Sequence, residues 1–303
     1  MKLKYYAAAL FSFVVWGIFS LVLKPLHDYS ALDILTYRVA FAAVLISFFS
    51  LTFRRRITLQ NIHLIRAQKP SVRWKMVGVL VISAVMLALN WYLFIYVMNA
   101  VSVNATSLAY LMCPILTTVL ANIFLRERLN AGQWCAVGLS VIACGMLAYG
   151  HLMDLIFSLT IALSYAIYLV LQKASRQLDK FFTLTVHILI GAMMLIPLGY
   201  KGAIETSHST LFFSNVLIIA VLFTIVPLYL NMYALKGLDS SVVGILLYIN
   251  PIISFLLGVF YFHEHITLLQ GLAYALIFLA VVLFNIFYFK KHSPVIASAQ
   301  KVI

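Results

Sequence analysis

Arg38 has the least ordinary placement of any residue in this chain. It lies inside a long apolar run between Ala31 and Phe53, where a charge near the bilayer midplane costs roughly 2.5 kcal/mol or more on insertion scales unless it is paired or hydrated. Two roles are open to it. As a ligand, its guanidinium would hold a carboxylate or phosphate through a bidentate fork; as structure, it would pair with Asp33 one turn away or snorkel to the interface. His187, alone in another apolar run, could titrate near neutral pH or serve as a hydrogen-bonded packing residue. His263-Glu264-His265 offers metal-ligand types without the right spacing, since a zinc hydrolase helix carries its histidines at i and i+4. Glu127 and Glu264 stand between two apolar runs, where a carboxylate favours the positive end of the following helix. Cys113, Cys135 and Cys144 form no CxxC and read as small apolar packing residues. Neither a metal site nor a cofactor is expected.

Polar side chains at helical spacing in apolar runs should face protein or water, because lipid penalises them. Ser107, Tyr110, Pro114, Thr117 and Thr118 follow such steps, as do Gly244, Tyr248, Pro251, Ser254 and Gly258. Ser83, Asn90 and Phe94 form another face, with Trp91 beside it; Ser12, Trp16 and Ser20, then Ser158, Tyr165, Tyr168 and Gln172, then Thr224, Pro227 and Asn231 form others. Small residues alone would only let helices approach, but the tyrosines are too bulky for a tight crossing. The candidate substrate-binding residues are therefore Trp16, Arg38, Asn90, Trp91, Tyr110, Tyr165, His187, Tyr248 and Asn250. Pro114 and Pro251 are candidate hinges, since proline removes a backbone donor and frees the carbonyl one turn back, here that of Tyr110 and of Leu247. A static kink compensated by neighbours is the other reading of both.

The elements that position these residues must be membrane helices. The chain is 64% hydrophobic and only 10% charged, far below the roughly one-quarter charged residues of soluble domains. Ten spans of about twenty residues, each enough to cross the hydrocarbon core, are predicted at 5–23, 31–53, 76–98, 104–125, 131–149, 152–172, 180–200, 211–235, 241–262 and 267–290. The fifth and tenth, with small faces and few large polar residues, should pack outside the cavity. The net charge of +13 is a matter of topology, with no nucleic-acid footprint: with the N-terminus cytoplasmic, 18 of the 21 Lys and Arg residues fall on the cytoplasmic side. Only Lys24 and Lys201 face the other side, so the positive-inside rule puts both termini in the cytoplasm. The basic connector 54–75 lies where it could meet anionic headgroups. All eight acidic residues lie in loops or at span ends, which disfavours exchange of organic cations on a buried carboxylate.

The spans also repeat. Pro114 and Pro251 are 137 positions apart, and so are Glu127 and Glu264, Gln133 and Gln270, Tyr92 and Tyr229, and Tyr96 and Tyr233. Five spans per half is an odd number, so the halves 1–150 and 151–292 are expected as inverted repeats, followed by a cytoplasmic tail, 293–303. Paired proline-interrupted helices in inverted repeats mark secondary transporters, with the site near the midplane between the halves.

The chain resembles the EamA branch of the drug/metabolite transporter superfamily, and within it the RarD-type permeases. The likeness rests on Asp33-Ile-Leu-Thr-Tyr-Arg38, Asn90-Trp91, Ser107-Leu108 with Tyr110 before Pro114, Thr224-Ile-Val-Pro227, Tyr248-Ile-Asn-Pro251, and the pair Glu127 and Glu264. It implies a ten-helix bundle of two inverted five-helix repeats in a bacterial inner membrane, moving small metabolites or drugs through a central cavity. Its partners would be a small-molecule substrate and the lipid bilayer, with a proton as one candidate coupling ion; the sequence assigns no oligomeric state. A zwitterionic or anionic substrate, such as an amino-acid-like compound, would suit Arg38. The rivals are a passive facilitator without ion coupling, a non-transporting scaffold with a dry core, and an intramembrane enzyme, which would need paired carboxylates, a Ser/His pair or metal ligands within the spans. None of those is evident in the sequence.

Overall fold

The computed structural model describes residues 2–26, 28–100, 103–149, 152–174, 177–205, 209–261, 263 and 267–292. Glu264, His265, the junction at 150–151 and the tail 293–303 lie outside the described residues, as does the side chain of Ser107. The described chain is helical, with no strand among its residues. Its helices are α1 (Leu3–Gly17), α2 (Phe19–Leu23), α3 (Ala31–Thr52), α4 (Arg55–Ala67), α5 (Pro70–Ala100), α6 (Val103–Leu125), α7 (Ala131–Ala148), α8 (Leu152–Ala174), α9 (Lys180–Glu205), α10 (Thr210–Ala220), α11 (Val226–Gly237), α12 (Ser240–Leu246), α13 (Ile249–Phe260) and α14 (Leu268–His292). Nine helical segments among the described residues are long and apolar enough to cross a membrane. A shorter apolar stretch, Ala109–Leu125, belongs to α6.

Large apolar side chains such as Phe48, Phe124, Ile142, Met193 and Phe278 are exposed on the outside of the bundle, as lipid contact requires. Inside, α1 packs on α11 and α13, α3 on α9 and α10, α5 on α8 and α9, α6 on α8 and α12, and α7 on α14. Lys2 Nζ donates to Tyr288 Oη at 3.2 Å and Tyr6 Oη to Asn285 at 3.2 Å. The start of α1 and the end of α14 therefore share one end of the bundle.

Helix ends are closed by side chains as the sequence allows. Ser30 accepts the Leu32 N–H, Ser209 that of Phe212, and Asn130 and Gln133 form a reciprocal capping box at the start of α7. Because α7 caps itself, Glu127 is free for a different helix: it does not serve the following α7, as expected, but the first turn of α12 in the other half of the chain. Its carboxylate accepts the N–H groups of Ser240 at 2.7 Å and Ser241 at 3.0 Å, and the Ser241 hydroxyl at 2.7 Å.

Arg126, just past the end of α6, has φ 56°, and His263, 137 positions later, has φ 54°. Both are left-handed residues of the kind that terminate helices.

Three elements were not foreseen. The connector 54–75 is not an irregular link: it holds the amphipathic helix α4, and α5 already starts at Pro70. Between α10 and α11, Val221–Ile225 winds as a π-helical turn. The ninth span is interrupted at Leu247–Tyr248, between α12 and α13.

Candidate functional site

The aromatic and polar residues singled out from the sequence fall into three groups. The first surrounds Arg38. Its guanidinium carbon lies 5.1 Å from the Trp91 ring centroid, a cation–π geometry. The guanidinium Nε is buried with no hydrogen-bond partner. No ion pair joins Arg38 to Asp33 among the described residues. Trp91 also faces α9, where a Cβ built on Gly191 would sit 3.6 Å from the indole. Tyr110 packs on Phe94 of α5 with the rings tilted by 55° and centroids 5.4 Å apart.

Trp16 and Tyr165 extend this group. Their rings meet edge to face at 6.2 Å, and Asn231 Nδ2 donates to Tyr165 Oη at 3.4 Å. Trp16 Nε1 donates to the Phe223 carbonyl at 2.9 Å. That carbonyl lies four residues before Pro227, which has no N–H to offer it, and within the π-helical turn. Ser12 of α1 donates to the Pro227 carbonyl at 2.9 Å. The freed proline carbonyl expected at Pro114 and Pro251 is thus engaged by a side chain at Pro227.

The second group is a buried polar cluster between α5, α8 and α9. Ser83 Oγ and His187 Nε2 are 2.9 Å apart, Gln172 Nε2 is 3.5 Å from the same nitrogen, and the Tyr168 ring lies edge to face with His187 at 5.7 Å. The sequence showed no Ser/His pair; the fold brings one together from α5 and α9. Both members of the pair are buried, and the other imidazole nitrogen, Nδ1 of His187, has no hydrogen-bond partner among the described residues, whereas a nucleophile-activating base is oriented by a third group. Asn90, two turns further along the same face of α5, clamps α5 to α8 by donating to the Ile161 carbonyl at 3.0 Å and to Ser164 at 3.1 Å.

The third group lies where α12 passes into α13. Tyr248 is wholly buried, beside Ser140 and Cys144 of α7. Asn250 stands at the start of α13, where its N–H takes up the Leu247 carbonyl at 3.1 Å, the group Pro251 leaves free, and its side chain accepts weakly from Ser254 at 3.5 Å. Ser254 also reaches the Gly17 carbonyl of α1 at 3.1 Å. The two prolines behave differently: α6 runs unbroken through Pro114, whereas the helix before Pro251 breaks. Cys113 and Cys144 are buried, as packing residues should be, whereas Cys135 is exposed. An apolar recess of about 480 Å³ opens between α1, α12, α13 and α14, with Asn285 as its polar member; Arg38 does not line it. No group of metal-ligand side chains occurs among the described residues.

A family model of EamA-like transporters matches the chain twice, over residues 3–149 and 152–286. The chain belongs to the EamA-like transporter family. Protein RarD of Escherichia coli is 32% identical over 290 residues, covering 91% of this chain and 92% of that protein. A Vibrio cholerae protein described as an uncharacterized transporter is 30% identical over 284 residues, covering 92% and 90%. YojE of Bacillus subtilis, likewise an uncharacterized transporter, is 28% identical over 279 residues, covering 90% and 91%. A solved crystal structure superposes with a TM-score of 0.75 at 12% identity, covering 97% of this chain and all of that one, a likeness of fold alone. Membership of this family, with the apolar helices, makes the chain a multi-pass membrane protein of transporter type.

Proposed function

We propose that this EamA-family protein is a bacterial inner-membrane secondary transporter that moves small zwitterionic or anionic metabolites, amino-acid-like in character, by alternating access. The halves 1–150 and 151–292 act as inverted five-helix repeats, both termini lie in the cytoplasm, and Trp16, Arg38, Trp91, Tyr110 and Tyr165 line the substrate path. The packing pairs support the repeat: exchanging the halves turns α1 on α11 into α8 on α5, α1 on α13 into α8 on α6, and α3 on α10 into α9 on α5, and leaves α3 on α9, α6 on α12 and α7 on α14 unchanged. Two family matches in tandem and the left-handed pair Arg126 and His263 point the same way.

The observation that carries the substrate class is Arg38. A guanidinium within an apolar span, stacked on Trp91 and with no carboxylate bonded to it among the described residues, is costly in the absence of an anionic partner. A guanidinium so placed can still hold a carboxylate through a bidentate fork. In proteoliposomes carrying the full chain, Arg38→Gln should cut uptake of a carboxylate-bearing substrate about tenfold or more, and Arg38→Lys should retain part of it, since lysine keeps the charge and loses the fork. If Asp33→Asn paired with Arg38→Gln restored both transport and detergent stability, Arg38 would be a structural partner of Asp33 and the substrate assignment would fail.

A further inference from the structure

The helix α4 presents two faces with opposite fates. Its inner face carries Ile62, Leu64 and Ile65, which pack with Met76 and Leu80 of α5, Leu178, and Phe182 and Val186 of α9. Two bonds hold it in place: Arg54 pairs with Asp179 at 3.3 Å, and the Asp179 N–H donates to Asn61 Oδ1 at 2.8 Å. Asp179 in turn caps α9 through the N–H groups of Phe181 and Phe182. An amphipathic helix at a membrane surface ordinarily sinks its apolar face into the lipid; here that face is used by the protein, and the polar face is left outward.

The outward face is strongly basic. Arg55, Arg56 and Arg66 on α4, with Lys69, Arg73 and Lys75 just beyond it, make six cations in 21 residues, and no acidic residue occurs anywhere between Asp33 and Glu127. No side chain of the six makes a hydrogen bond or ion pair among the described residues. Interleaved with them are large exposed apolar side chains: Phe53 is 71% exposed, Leu59 55% and Trp74 68%. In bulk water those apolar side chains would be uncompensated. At headgroup depth, where tryptophan is favoured and anionic lipids attract juxtamembrane cations, both kinds of side chain are satisfied. The segment joins α3 to α5, two membrane-crossing helices, so it lies at that depth by connection.

We propose that α4 and its flanks, residues 53–75, form a docking platform for the headgroups of anionic phospholipids, held rigidly to the start of α9 through Asp179. The occupant is a phospholipid, with phosphate diester and acyl chains both engaged: the cations take the phosphate, and Phe53, Leu59 and Trp74 take the glycerol and upper chain region.

The test uses the purified full chain and native mass spectrometry with phosphatidylglycerol and phosphatidylcholine of matched chains. The intact protein should retain phosphatidylglycerol in preference, and the R55Q/R56Q/R66Q variant should lose about tenfold of that preference. The control K4Q/K236Q/K290Q, with the same number of charges removed from other helices, should keep it. Equal loss in both variants, or loss in neither, overturns the platform. Glycerol phosphate added in solution should not compete; full competition would mean a soluble phosphate site and would also overturn it. For a variant that folds poorly, the wild-type chain decides: photoactivatable phosphatidylglycerol should cross-link chiefly within 53–75, and cross-linking spread over the other loops would refute the assignment.

Discussion

A Cβ atom built on Gly244 of α12 would lie 2.9 Å from the Cβ of Thr117 on α6 and 3.6 Å from the Pro114 carbonyl oxygen. The crossing of the two proline-bearing spans is therefore closed by glycine on one side and a buried threonine on the other, with no room for a methyl group. Gly244→Ala should force the helices apart at a cost of about 1–3 kcal/mol, seen as a lower melting temperature in detergent. Gly138 and Gly145 have nothing within 4 Å of a built Cβ, so Gly138→Ala and Gly145→Ala should not destabilise, since alanine is the better helix former. Equal stability of Gly244→Ala and these controls would show that the crossing is looser than its geometry.

Glu127 ties the end of α6 to the start of α12 by three hydrogen bonds. A carboxylate at a helix N-terminus gains from the helix dipole as well as from the bonds themselves. Glu127→Gln keeps the shape and loses the charge, and should lower folded stability by about 1 kcal/mol. Glu127→Ala leaves the Ser240 and Ser241 N–H groups without this acceptor and should cost more. Thermal unfolding of both variants beside the wild type checks the order; identical curves would mean that water replaces the carboxylate at no cost.

Trp16 and Phe223 offer a third measurement. The indole N–H is the partner of a carbonyl that Pro227 cannot satisfy. Trp16→Phe preserves an aromatic ring against Tyr165 and removes the donor with part of the indole, so it should cost about 1 kcal/mol or somewhat more. Trp16→Ala also loses the edge-to-face contact at 6.2 Å and should cost more. If the path runs past Trp16, Trp16→Ala should in addition change which substrates are taken up in proteoliposomes, with Trp16→Phe close to wild type in selectivity.

The positions of the membrane helices were legible because hydropathy over twenty residues is a strong signal, and the family likeness was carried by motifs that lie within them. Local sequence did not reveal partners that are distant in the chain. Glu127 was assigned to the nearest helix, but the Asn130–Gln133 box already serves α7, and Ser240 lies 113 positions away. Ser83 and His187 were each noticed on their own helix faces; only the packing of α5 on α9 joins them. Helix α4 was missed because its charge read as a connector, although Ile57, Asn61, Ile62, Leu64 and Ile65 mark an inner face at helical spacing. The π-helical turn at Val221–Ile225 has no pattern of its own, yet Pro227 signals that the Phe223 carbonyl needs a donor from elsewhere.

Topology closes the set. Lys2 meets Tyr288, so the two ends of the described chain share one side, and Tyr29 meets Ser209 at 2.9 Å, which brings the loop after α2 to the loop before α10. The proposed orientation rests on the basic residues: cations cluster in the α3–α5 connector and are sparse in the two loops that Tyr29 and Ser209 mark, so by the positive-inside rule the connector is expected in the cytoplasm. In a chain with Cys113, Cys135 and Cys144 replaced by alanine, single cysteines at Asp28 and at Ser209 should react with an impermeant maleimide added to intact cells. A cysteine at Lys69 should react only after the membrane is opened. Labelling of the Lys69 position in intact cells, with protection at Asp28 and Ser209, would invert the orientation and with it the cytoplasmic assignment of both termini.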